Sequence, residues 1–215
     1  MISQIVERDG RRFLFLSGWE ETSESEVKAV FEPAIDIVLM VLLPPAGDYY
    51  LSGSAPDTSL MAAVNHDLPN STCACGLTSD QVQRQWLDFW AVMGLPPQNN
   101  LILYNLSAIK TRVTEILSQG RSKSSALLPI AAGLAHELYH VRHDQQKMHS
   151  WEAEARAHAA QREFMNEVAP LVGLDPEFTE IWLRQSRETE RDHKKEWRVR
   201  HPDRKPTGNP EVPRR

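Results

Sequence analysis

Two histidines four residues apart, His136 and His140, frame the stretch His136-Glu137-Leu138-Tyr139-His140. If this stretch is helical, residues i and i+4 share one face, and both imidazoles can reach a single Zn²⁺ at about 2.0–2.1 Å. Glu137 directly follows the first histidine. A carboxylate in that place can take a proton from a water that the ion acidifies, which is the division of labour in zinc-dependent hydrolysis. Two imidazoles do not complete a zinc site: a third protein donor is needed, and a catalytic ion keeps its fourth position open.

The third donor is expected just downstream. After a polar break from Asp144 to His149, a helix should begin at Ser150 and carry Trp151-Glu152-Ala153-Glu154-Ala155-Arg156-Ala157-His158-Ala159. H-E-x-x-H followed on the next helix by E-x-x-A resembles the gluzincin branch of the zincin metallopeptidases, in particular the ImmA/IrrE-type and CAAX-prenyl-protease-type sequences. The resemblance runs from Ser125 to Ala159. It implies an α+β, zincin-like domain in which a small sheet with an edge strand packs on an active-site helix and further helices. It also implies one Zn²⁺ held by His136, His140 and Glu152, with Ala155 as the small residue that lets the two helices approach and Ala159 extending that face. Arg156 departs from the pattern, since those families place Asp or Asn there to orient a ligand. A thermolysin-like register takes Glu154 instead, with His158 one turn on. Residues two apart on a helix point about 160° away from each other, so only one of Glu152 and Glu154 can face the ion. The small residues favour Glu152; the apolar run Ala157, Phe164 and Val168 favours Glu154. The metzincin pattern is absent, because His143 and Gln146 stand where it needs Gly and a third His.

By this resemblance the chain is a zinc metallopeptidase acting on a peptide or protein substrate, with Glu137 as general base. Donors for the developing oxyanion could come from Tyr139, His143, His149 or His158, although Tyr139 projects away from the histidine face. The alternative is a zinc-binding interaction module without catalysis, whose basic tail meets an acidic partner or nucleic acid. Glu137 argues against it, being superfluous in a structural site.

The elements that must position these groups follow from periodicity and turn chemistry. From Ser125 to Asp144 the sequence reads as one helix, with Leu127, Ile130, Leu134, Leu138 and Val141 on one side and the histidines opposite. Gly133, one turn before the motif, suggests a close approach to the backbone. Asp9-Gly10 between Gln4–Arg8 and Arg12–Ser17 predicts a β-hairpin. Ser23 and Glu26 form a capping box for a short helix that Pro33 is expected to stop, and Ile35–Leu43 then reads as a buried strand with Tyr49–Ser52 pairing back on it. Ser52–Gly76 reads as loop with one turn of helix at Leu60–Val64, and Ser79–Met93 as a helix. Asn100–Asn105 is expected as a short strand; the zincin resemblance implies that its centre, Leu101–Tyr104, could line the cleft and take a substrate by β-augmentation, the other reading being an ordinary sheet strand. Ser107–Ser118 should be helical up to Gly120, and a last helix should start on Asp175-Pro176 and end before Pro202.

Composition bounds the rest. A chain of 215 residues that is 41% hydrophobic can bury a full core, and one domain is expected over residues 1–200. Ile37–Leu43, the most apolar run, is far short of the ~20 residues of a membrane span. Met1–Arg12 lacks the apolar region of a secretory signal, which points to a soluble cytoplasmic protein. Two cysteines, Cys73 and Cys75, are too few for a disulfide scaffold. From Arg191 to Arg215, nine Lys and Arg against four Asp and Glu leave +5 in a chain of net −5. With its prolines, 201–215 reads as a disordered basic tail.

Overall fold

The computed structural model describes residues 2–16, 24–54, 74–77, 101–142, 150–200 and 202–203. The architecture is α+β. Strands β1 (Ile2–Arg8), β2 (Arg11–Leu16), β3 (Gly47–Ser54), β4 (Ala74–Leu77) and β5 (Leu101–Asn105) form a sheet in the order β1-β2-β3-β5-β4. Helices α1 (Glu24–Leu39), α2 (Leu106–Ser118), α3 (Lys123–Arg142), α4 (Ser150–Leu171) and α5 (Pro176–Arg200) complete the described elements. The central strands β2, β3 and β5 run parallel, and the outer strands β1 and β4 pair antiparallel to their neighbours.

The first hairpin forms as its turn residues require. Asp9 and Gly10 both take positive φ, 49° and 73°, the two-residue turn that matches the twist of its strands. Phe13 on β2 stacks on Tyr49, its register partner on β3, at 5.4 Å, and Phe15 meets Phe31 of α1 at 5.8 Å. These contacts seat α1 on the sheet. Arg8 holds the outside of the same junction through Glu32 and Asp36, both at 2.8 Å.

Three expectations fail between residues 24 and 105. Pro33 does not stop α1, which continues to Leu39, so Ile35–Leu43 is not a strand and β3 pairs instead with β2 and β5. Phe31, Ala34, Ile35 and Val38 stand at helical spacing and are all buried. An interior proline costs about 3 kcal/mol, whereas burying Phe31, Ile35 and Val38 contributes about 1.5–3 kcal/mol each, so packing outweighs the breaker. Ala74–Gly76, expected as the end of a loop, belongs with Leu77 to strand β4. Finally, Leu101–Asn105 forms as expected but lies inside the sheet; β4 is the outer strand, and it is β4 that contacts α3. The capping box at Ser23 and the expected helices at Leu60–Val64 and Ser79–Met93 lie outside the described residues, as do 204–215.

The second half matches its expected boundaries closely. Ser122 caps α3, its hydroxyl accepting the backbone N–H of Ser125 at 3.1 Å. Gly173, at φ 67°, closes α4, and Leu174 N–H then reaches back to Ala169 O at 2.9 Å. Asp175 caps α5, its carboxylate accepting the N–H of Glu177 at 2.9 Å, and Arg121 ties it to the α2–α3 connection at 2.9 Å. The core runs from the sheet (Phe13, Leu51, Ile102) through α1 to Leu128, Leu134 and Leu138 of α3 and Met165 and Val168 of α4. Helix α3 thus lies against α1, α2, α4 and β4, while α5 packs on α4. No helix among the described residues is long and apolar enough to cross a membrane.

Candidate metal centre

The histidines reach the interior because α3 is buried on two sides. Leu127, Leu134 and Leu138 enter the core, and on the other side His136, Glu137 and His140 are buried as well. Their Nε2 atoms lie 3.1 Å apart. The carboxylate of Glu154, from α4, meets both, with Oε2 3.2 Å from His136 Nε2 and Oε1 3.4 Å from His140 Nε2. Donors at 2.0–2.1 Å from one tetrahedral ion stand about 3.3 Å from each other. The two imidazole nitrogens and the carboxylate group therefore converge at spacings compatible with one small divalent cation.

The electrostatics agree with the donor set. Burial disfavours the Glu154 carboxylate, but hydrogen bonds and positive charge from His136 and His140 outweigh it and hold its carboxyl well below the usual range. His140 is pushed down by burial and up by its bond to Glu154 and by the charges of Glu154 and Glu137, with a net rise. The general-base candidate Glu137 is therefore near enough to His140 for its charge to be felt.

Glu154, and not Glu152, is the carboxylate brought to the histidines; the resemblance to E-x-x-A picked the other register. The reason lies in the small residues. Ala155 is buried against Trp197 of α5, so the alanine face of α4 serves its contact with α5. Helix α3 is met by the stripe that carries Glu154, Phe164, Met165 and Val168. Among the described residues, no atom beyond its own stretch of helix comes within 4 Å of the place a Cβ would occupy at Gly133.

His158 completes the cluster. Its ring lies 4.6 Å from that of His136, and His136, Glu154 and His158 offer ligand atoms within 4.8 Å of one another. Burial, then the charge of His136, lowers the His158 pKa to about 3, so this imidazole is neutral at ordinary pH. Gln161, whose Oε1 is 3.1 Å from His158 Nδ1, and Ser186 of α5, which donates to Gln161 Oε1 at 3.2 Å, were not foreseen. Gln161 was detectable as the i+3 neighbour of His158 on one helix; no local signal points to Ser186, 28 residues away. His143 and His149 lie outside the described residues.

No protein-family model, no curated protein and no solved structure matches this chain.

Proposed function

We propose that this chain is a zinc-dependent hydrolase of peptide bonds, built as a zincin-like domain, with His136, His140 and Glu154 holding the ion. The observation that carries the reading is the convergence of His136 and His140 Nε2, 3.1 Å apart, on the Glu154 carboxylate, whose Oε2 and Oε1 lie 3.2 and 3.4 Å from them, with Glu137 buried beside His140. A structural site has no use for Glu137, whereas a hydrolytic one requires a carboxylate next to the ligands.

Zinc, when bound, would polarise a carbonyl oxygen and lower the pKa of a water towards ~7. The chain's own residues do the rest. Glu137 takes the proton of the attacking water and hands it to the leaving amine, and its burial keeps that carboxylate apart from bulk solvent. Glu154 contributes one negative charge, so the ion keeps a net positive charge with which to act. Strand β4, on the outer side of the sheet and against α3, is the edge on which an extended substrate would lie, the role first expected of Leu101–Tyr104.

The test is paired. Protein purified without added metal is assayed for zinc, and the zinc-loaded protein and its Glu137→Gln variant are assayed on a peptide library. Zinc with cleavage that depends on Glu137 supports the reading. Zinc without cleavage of any peptide would instead favour a non-catalytic interaction module.

A further inference from the structure

Helix α4 repeats the donor spacing of α3. His136 and His140 stand one turn apart on α3, and Glu154 and His158 stand one turn apart on α4, so each helix carries two donors on one face. The rings of His136 and His158 lie 4.6 Å apart and inclined at 62°, close to the 4.8 Å and 67° that relate His136 to His140. A ligand atom of His158 lies within 4.8 Å of ligand atoms of both His136 and Glu154. Neither register of the resemblance puts His158 on the ion.

The nitrogen that His158 has to offer is of the right kind. Its Nδ1 faces Gln161 Oε1 at 3.1 Å, and that oxygen also accepts the Ser186 hydroxyl at 3.2 Å. An amide oxygen only accepts, so Nδ1 carries the proton and Nε2 keeps a bare lone pair. The residue is 8% exposed, and Nε2 is buried without a hydrogen-bond partner. Buried polar atoms are rarely left unpaired, and an imidazole that binds a metal ordinarily donates its other N–H to a fixed acceptor. His158 meets both conditions: α4 and α5 anchor one nitrogen and leave the other for a cation.

The geometry points to His158 as a fourth protein ligand, filling through Nε2 the position that the hydrolytic reading keeps for water, so that the resting centre is closed by three imidazoles and one carboxylate. The inference rests on the metal reading above and adds the regulation of that site. A zinc site with four protein donors has no place for water, whereas a catalytic one keeps a position open. Water therefore enters only when His158 gives way, and α5, through Ser186, sets how readily it does so.

Two measurements that do not depend on hydrolysis test this. X-ray absorption at the zinc edge counts the imidazoles bound in the wild-type protein and in His158→Ala, and azide is titrated into the cobalt-loaded forms while their visible bands are followed. Wild type should show three imidazoles and no response to azide; His158→Ala should show two, with an added light oxygen donor, and its bands should shift as azide binds. Two imidazoles in wild type, a count unchanged by the substitution, or azide binding to wild type as tightly as to His158→Ala would each overturn the proposal. Should His158→Ala fail to fold, the wild-type count and its azide titration decide alone. The two levels remain separable: full zinc retention in His136→Ala removes the metal reading and this inference with it, whereas zinc lost in His136→Ala but held by two imidazoles in wild type removes this inference only.

Discussion

His136 Nε2 and Glu154 Oε2 lie 3.2 Å apart although α3 and α4 contribute one each, so the cluster exists only when the two helices are packed. Sequence spacing alone brings His136 to His140, one turn away on the same helix. The third donor depends on which face of α4 meets α3. Replacing Glu154 should therefore release zinc to a mild chelator, with a loss larger than the 10–100-fold of an outer residue. Glu152→Ala should retain zinc. Chelator competition on the two variants decides between them.

Chemistry and binding should separate at Glu137. Glu137→Gln should keep its zinc and its melting temperature while hydrolysis falls about 10²–10⁴-fold or more. Parallel loss of metal and stability would make Glu137 a structural carboxylate.

Acidification should destabilise the metal-free protein through His158. Its folded pKa, about 3, lies below the ordinary 6.5, so the unfolded chain takes up a proton that the folded one refuses. The stability this neutral imidazole contributes is fully present above about pH 6.5 and declines as pH falls towards 3. Urea midpoints measured between those limits should fall less steeply in His158→Gln, which has no group to titrate there.

Helix α1 offers a test of the fold. Ile35 is fully buried, and Ile35→Ala should cost about 2–5 kcal/mol in urea unfolding. Its neighbour Asp36 faces outward and pairs with the half-exposed Arg8, so Asp36→Ala should change stability by less than about 1 kcal/mol.

What the sequence made legible was local. The Asp9-Gly10 turn, the Asp175-Pro176 helix start and the two faces of α3 each depend on residues within a turn or two of one another. Pro33 misled because breaker chemistry is local while the burial that outweighs it comes from the sheet and α3. Strand order was hidden for the same reason: β3 pairs with β2 and β5 across long stretches of chain. At the candidate site, Ala155 was read as the contact with α3 and in fact faces Trp197 of α5. An alanine records that some helix comes near without saying which one, and that ambiguity moved the carboxylate by two residues.

The central claim is that His136, His140 and Glu154 hold one ion together, and anomalous diffraction at the zinc edge from crystals of the zinc-loaded protein tests it most directly. A single strong peak should stand about 2.0–2.2 Å from His136 Nε2, His140 Nε2 and a Glu154 carboxylate oxygen. No peak among these atoms, or a peak coordinated by other residues, would contradict it.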